Sequence, residues 1–407
     1  MERCRSVLCF LLALVCIWEF SRPHVEAAPL GLANVIARTV LKVAIEEGFE
    51  MGVAAWKRRR TPDNGLNFAM NVNLGTPPMQ HNFTMALNSE FFWAACSPCI
   101  DCNQWVPRLA YIMLLTAPGN KSLRMSLGCG RQSTRLLGIL STSGLVGFAK
   151  TNKSFIGQLA EMDYTGKFIY CAPSDTFSGK IVFGNYKISS NSSLSYTPMI
   201  VNPISTALYY IGLRSISIND MLTFLVQGIL ADGTGGTIID STFAFSYFTP
   251  DSYTPLVQAI QNLNSNLTKV SSNKTAALLG NDICYNVSVN GDTPPPQTLT
   301  YHFENGTQVE FRTWFLLDDD AENATVCLAV GDSQKVGFSL NVIGTYQQLD
   351  VAVEFDLEKQ EIGFGTAGCN VSMNLDTSSG FTYIFVWKSS TTQMFSFLPL
   401  LTYLLLV

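Results

Sequence analysis

The chain has 407 residues, of which 47% are hydrophobic and only 14% charged, and its formal net charge is -5. That length suffices for two lobes or one large double unit with a sizeable core. The apolar, weakly acidic composition excludes an intrinsically disordered chain and argues against a nucleic-acid partner.

In chain order, Arg3 and Arg5 precede an apolar run over 7–18 and the small residues Ala27 and Ala28, which reads residues 1–27 as a secretory signal. The run is shorter than the ~20 residues a spanning helix needs. Residues 28–60 read as a propeptide-like segment: Leu32, Val35, Ile36, Val40, Val43 and Ala44 fall at helical spacing, and Lys57, Arg58, Arg59 and Arg60 end it in a basic run that is either a solvated face or a processing site. From about residue 67 the pattern changes to short alternating or apolar runs broken by Gly, Pro and Asn, the signature of strands. The clearest helix spans 251–263, with Tyr253, Leu256, Val257, Ile260 and Leu263 on one face. A mainly β fold with few short helices follows. The tail, 376–407, opens on small residues at 376–380 and closes on an apolar run at 395–407. It reads as a GPI-attachment signal, with a membrane tail or a buried C-terminus as the alternatives.

Cys4, Cys9 and Cys16 leave with the signal, and Cys96, Cys99, Cys102, Cys129, Cys171, Cys284, Cys327 and Cys369 remain. An even number in an oxidising compartment predicts four disulfides, whose connectivity the spacing leaves open. Cys96, Cys99 and Cys102 have zinc-knuckle spacing without a fourth nearby ligand, so neither metal nor cofactor is expected. Sequons at Asn82, Asn120, Asn152, Asn191, Asn266, Asn273, Asn286, Asn305, Asn323 and Asn370 fit a glycosylated, secreted protein.

Chemistry enters at Gly235-Gly236-Thr237-Ile238-Ile239-Asp240-Ser241, where a carboxylate ends an apolar run. Alone this is also an ordinary strand end at a turn. Its setting decides between the two. The segment resembles the second active-site strand of pepsin-like aspartic proteases, and further landmarks follow in the order found in the plant nepenthesin-like branch. These are 70–78 with its Gly75-Thr76-Pro77 turn, Trp93 with Cys96-Ser97-Pro98-Cys99, Gly128-Cys129-Gly130, Tyr170-Cys171, 178–184, Tyr209-Tyr210-Ile211-Gly212, Ile283-Cys284-Tyr285, Val326-Cys327-Leu328, Gly344-Thr345-Tyr346-Gln347-Gln348 and 354–358.

The resemblance covers roughly 67–369. It implies two β-barrel-like lobes, 67–196 and 197–372, with a cleft between them. It also implies bridges Cys96 to Cys99, Cys102 to Cys129, Cys171 to Cys369 and Cys284 to Cys327. In active relatives two aspartates share a proton and polarise a water. Here the first motif aligns with Ala86-Leu87-Asn88-Ser89, so one carboxylate is a methyl group. Thr242 and Phe243 replace the Gly and Thr or Ser that follow the second aspartate. Only twenty-six residues separate Cys102 from Cys129, and Tyr111 lacks the surroundings of a substrate-covering flap, so the lid is expected to be lost.

Glu90, at an even offset from Ala86, is the one candidate replacement acid. A lone Asp240 is expected to titrate near an ordinary aspartate value, about 3.9, unless burial raises it. A Ser-His-Asp arrangement from His81 or His302 has no nucleophile motif to support it. Asp318-Asp319-Asp320 reads as a solvated acidic turn, and Asp232-Gly233-Thr234-Gly235-Gly236 as a β-turn without the Lys of a phosphate loop. The expected protein is a secreted, monomeric pseudoprotease that binds a peptide, protein or glycan in its cleft, with plant relatives that inhibit xylanases as a precedent by resemblance. The alternatives are a weak acid endopeptidase relying on Asp240, and a GPI-anchored surface binding protein.

Overall fold

A computed structural model describes residues 68–387 apart from short stretches, the longest being 101–111, 133–141, 271–282 and 289–296. The signal, the propeptide-like segment with its basic run, and 388–407 lie outside the described residues. As the alternation predicts, the described chain is mainly β. In Phe68–Leu74 the residues Phe68, Met70, Val72 and Leu74 are buried while Asn71 and Asn73 are half-buried, the period-2 pattern of a strand with one covered face.

Two α-helices occur among the described residues, Phe155–Ala160 and Pro250–Leu263. The second is the helix read from the sequence. It buries Tyr253, Leu256, Val257 and Ile260, but Leu263, its last residue, is 39% exposed.

One motif occurs twice and positions everything that follows. In the first copy Thr84, Met85 and Ala86 of the strand Met79–Ala86 pair in parallel with Leu145, Val146 and Gly147 of Gly144–Gly147. In the second, Thr237, Ile238 and Ile239 of Thr237–Ile239 pair in parallel with Asn341, Val342 and Ile343 of Asn341–Ile343.

After each tip the chain turns back across the end of the parallel partner, closely enough that only glycine fits. A Cβ on Gly147 would lie 2.3 Å from the Phe91 carbonyl oxygen, and one on Gly344 2.1 Å from that of Phe245. The equivalence sets Phe91 against Phe245, and counting back along the two tips sets Ala86 against Asp240.

Beneath the tips the halves share an aromatic core. Phe168 stacks on Phe355 with centroids 4.7 Å apart, Tyr209 meets Phe355 edge-on at 4.6 Å, and Phe148 reaches Phe168 at 5.3 Å. The strands carrying Phe168 and Phe355, Lys167–Cys171 and Ala352–Asp356, pair antiparallel, so one sheet runs through both halves.

Three disulfides are present among the described residues, and they correct the expected pairing. Cys171–Cys369, spanning 198 positions, and Cys284–Cys327 are as the resemblance implied, but Cys96 bonds Cys129. Cys96–Cys99 and Cys102–Cys129 are both excluded by that bond. The reason is sheet register: Ala94 lies beside Cys129 in the parallel pairing of Trp93–Ile100 with Gly128–Gln132, which puts Cys96 within a 5.4 Å Cα–Cα span of Cys129. The side chains of Cys99 and Cys102 lie outside the described residues.

One further expectation changes. The shortened segment after Cys102 still builds a hairpin: Ile112–Ala117 pairs with Lys121–Ser126 over six residue pairs and joins the first strand at Leu115 and Leu74. Tyr111 lies outside the described residues. At the other end, Met373–Trp387 is a strand that pairs with Ser178–Ile188, and its last residues also pair with Phe68, Ala69 and Met70. Residues 376–380, expected as the lipid-attachment site, fall within that strand.

Candidate functional site

The two strand tips meet. Asp240 is fully buried, and so is Ala86. The Ser241 hydroxyl accepts the Leu87 N–H at 3.1 Å and donates to the Met85 carbonyl at 2.9 Å, crossing from one tip to the other. Asn88 Nδ2 donates to Thr242 Oγ1 at 3.0 Å, a second crossing at the same offset of 154 residues. Thr242 in turn gives both its backbone N–H, at 2.5 Å, and its hydroxyl, at 2.6 Å, to Asp240 Oδ1. The two tips are therefore braced twice, through Ser241 and through the Asn88 to Thr242 bond.

Behind Asp240 lies a buried polar layer. Gln348 Nε2 donates to the Asp240 carbonyl at 2.9 Å and to that of Ile343 at 3.0 Å, while Tyr170 donates its hydroxyl to Gln348 Oε1. Burial first, and then the charge of Asp240, push the Tyr170 hydroxyl far above its ordinary value, so it stays a neutral donor. Sequence reasoning gave Tyr170 and Gln348 no role. The only signal was their place in Tyr170-Cys171 and Gln347-Gln348, which mark the family's order and say nothing of contact.

Opposite Asp240 there is no described second acid in the brace. Glu90 is exposed, and its carbonyl oxygen accepts the Thr151 hydroxyl at 3.0 Å beyond the turn. It therefore does not replace the missing carboxylate.

His302 and Ser217 do come together, with Nε2 2.7 Å from Oγ, and Asp220 Oδ1 lies 3.4 Å from the same hydroxyl. The order is wrong for a triad, because the hydroxyl sits between imidazole and carboxylate, and Ser217 is 1% exposed. His81 sits half-buried in Met79–Ala86, and burial lowers its pKa.

Asp318 and Asp319 are strand residues beside Thr325 and Ala324, which corrects the turn expected there. Asp232 does form a turn, accepting Thr234 N–H at 3.0 Å and its hydroxyl at 2.6 Å, and those bonds lower its pKa. Of the sequons, Asn152, Asn266, Asn286 and Asn305 are exposed and Asn82 is half-buried. Asn323 begins a strand, and Asn120, Asn191, Asn273 and Asn370 lie outside the described residues.

With this geometry in hand, comparison with known proteins places the chain. Residues 110–185 match the family described as xylanase inhibitor N-terminal, and residues 208–366 match xylanase inhibitor C-terminal. Aspartic proteinase nepenthesin-1 of Nepenthes gracilis is 24% identical over 360 residues, covering 75% of this chain and 78% of that protein. The chain belongs to the pepsin-like aspartic protease family.

A second relative, aspartyl protease family protein 2 of Arabidopsis thaliana, is 28% identical over 265 residues. That match takes in 63% of this chain but only 51% of the relative, so the chain spans about half the length of that protein. Among solved structures, edgp superposes with a TM-score of 0.59 at 19% identity, covering 76% of this chain and 93% of that one. Basic 7S globulin from soybean gives 0.55 at 17%, covering 75% and 93%. At such identities the likeness speaks for the fold alone.

Proposed function

We propose that this member of the aspartic protease family is a secreted, non-hydrolytic binding protein that holds a polypeptide or glycan between its two halves. The observation that carries the reading is the pairing of a buried Asp240, capped at Oδ1 by Thr242, with a strand tip that ends in Ala86. Acid proteolysis needs two carboxylates that share one proton and activate a water between them. With one of the pair replaced by a methyl group, loss of several orders of magnitude in rate is the ordinary result. The resemblance of both halves to xylanase-inhibitor domains favours an inhibitory or binding role over a catalytic one.

The test is incubation of the mature protein with an unfolded polypeptide between about pH 3 and 5, the range in which carboxylate pairs share a proton. The polypeptide should remain intact. Cleavage that disappears in Asp240→Asn would replace this reading with that of a weak acid endopeptidase.

A further inference from the structure

We propose that Asp240 is retained as the anchor of an interlobe clasp, and that Asn88 and Thr242 are matched residues of this clasp. The inference rests on the non-hydrolytic reading above and gives the surviving aspartate a duty. The chain of donors runs one way. Asn88 Nδ2–H donates to Thr242 Oγ1, and Thr242 Oγ1–H, together with its backbone N–H, donates to Asp240 Oδ1.

Each group fits its place chemically. A hydroxyl accepts one bond while donating another, an amide supplies the donor, and a carboxylate is the strongest acceptor among side chains. Neither Asn88 nor Thr242 suffices alone: Thr242 reaches only its own strand tip, and Asn88 has no acidic partner of its own. Asn88 and Thr242 stand at equivalent positions of the duplicated motif, two residues past Ala86 and Asp240, and the resemblance implies glycine at the second of them. The same offset that once brought two catalytic loops face to face now brings an amide to a hydroxyl.

The clasp predicts a directional response that space-filling does not. Asn88→Asp keeps the shape and removes the donor, setting a carboxylate against a hydroxyl whose proton is committed to Asp240. Its melting temperature at pH 7 should fall by roughly 2 °C or more. The gap to the parent should narrow as pH drops into the carboxylate range, because protonation returns a donor to that position. Thr242→Val should cost a similar shift, and Thr242→Ser, which keeps the hydroxyl, should cost much less. In the Asn88→Ala, Thr242→Val cycle the double variant should lose less than the two singles together.

Additive losses, or an Asn88→Asp deficit that does not change with pH, would overturn the clasp. These readouts are melting temperatures, so they fail independently of the peptide-cleavage assay. A protein that cleaves peptides yet shows the coupling loses the first reading, and with it the clasp as the reason Asp240 is retained, while the hydrogen-bonded clasp itself stands.

Discussion

The two strand tips share a backbone and differ in what they carry. Both end in a tight return over a glycine, Gly147 in one half and Gly344 in the other, and both are buried to the last residue of the strand. One tip keeps Asp-Ser while the other reads Ala-Leu, yet the crossing from Ser241 to Met85 and Leu87 survives with a hydroxyl on one side only. The backbone demands of the fold are therefore stricter than its chemical demands. A catalytic side chain can be exchanged for a methyl group, whereas the glycines beside it cannot take a Cβ.

The largest effects should come from testing that symmetry of backbone. Gly344→Ala and Gly147→Ala each force a Cβ to about 2 Å from a main-chain oxygen. Each should cost about 3 kcal/mol or more, as overpacking against rigid backbone does. Urea unfolding of both variants measures this, and similar losses in the two halves would support equivalent geometry. A harmless Gly147→Ala would show that the first tip has relaxed its backbone as well as its chemistry.

Ser241→Ala should follow at about 2 kcal/mol, because it removes two crossings and leaves the buried Leu87 N–H without its acceptor. Equilibrium unfolding of Ser241→Ala against Ser241→Thr, which keeps the hydroxyl, separates the lost bonds from lost shape.

A smaller, pH-dependent effect belongs to a second link between the halves, where Arg312 meets Asp350 and both reach Ser174. Burial acts to raise the Asp350 pKa, but the Ser174 bonds and the Arg312 guanidinium outweigh it and hold the carboxyl below its ordinary value. A depressed folded pKa contributes stability above the unfolded value of about 3.9, and that contribution is lost as pH falls through the lower folded value. The groups are more than a third exposed, so screening keeps the effect small. Asp350→Asn should lower the melting temperature slightly at pH 6, and the gap to the parent should shrink as pH falls below about 3.9 toward the lowered folded value. A deficit that persists unchanged in acid would mean that the link is packing rather than charge.

Much of this was legible in the sequence because strand alternation, turn glycines and the order of landmarks are local. The helix Pro250–Leu263 follows from such signals, while the replacement of an aspartate by Ala86 and the long Cys171–Cys369 bridge were implied by the resemblance to the family. What escaped depends on register. Cys96 pairs with Cys129 because Ala94 happens to lie beside Cys129 in a parallel ladder, which no spacing rule encodes. The Asn88 to Thr242 bond joins residues 154 apart, and each alone reads as damage to a motif. The hairpin of Ile112–Ala117 and Lys121–Ser126 forms without the residues that mark a flap, so it too depends on pairing rather than on a motif.

The smallest expected change is also the sharpest probe of the comparison between the tips. Ala86→Asp restores the missing carboxylate on an unchanged backbone, and it should yield no peptide cleavage at any pH from 3 to 6. A second carboxylate is not sufficient where the first has its Oδ1 committed to two donors from Thr242, since the pair must share a proton and hold a water between them. Leu87 supplies no hydroxyl to return the crossing that Ser241 makes, so the introduced group lacks the support its partner enjoys. Adding Thr242→Gly to Ala86→Asp frees Asp240 and removes the clasp together, and any activity should appear only in that combination. Cleavage by Ala86→Asp alone would mean that a single substitution separates this protein from its active relatives and that Thr242 is no obstacle; silence in both would place the barrier in Leu87 and the shortened lid segment.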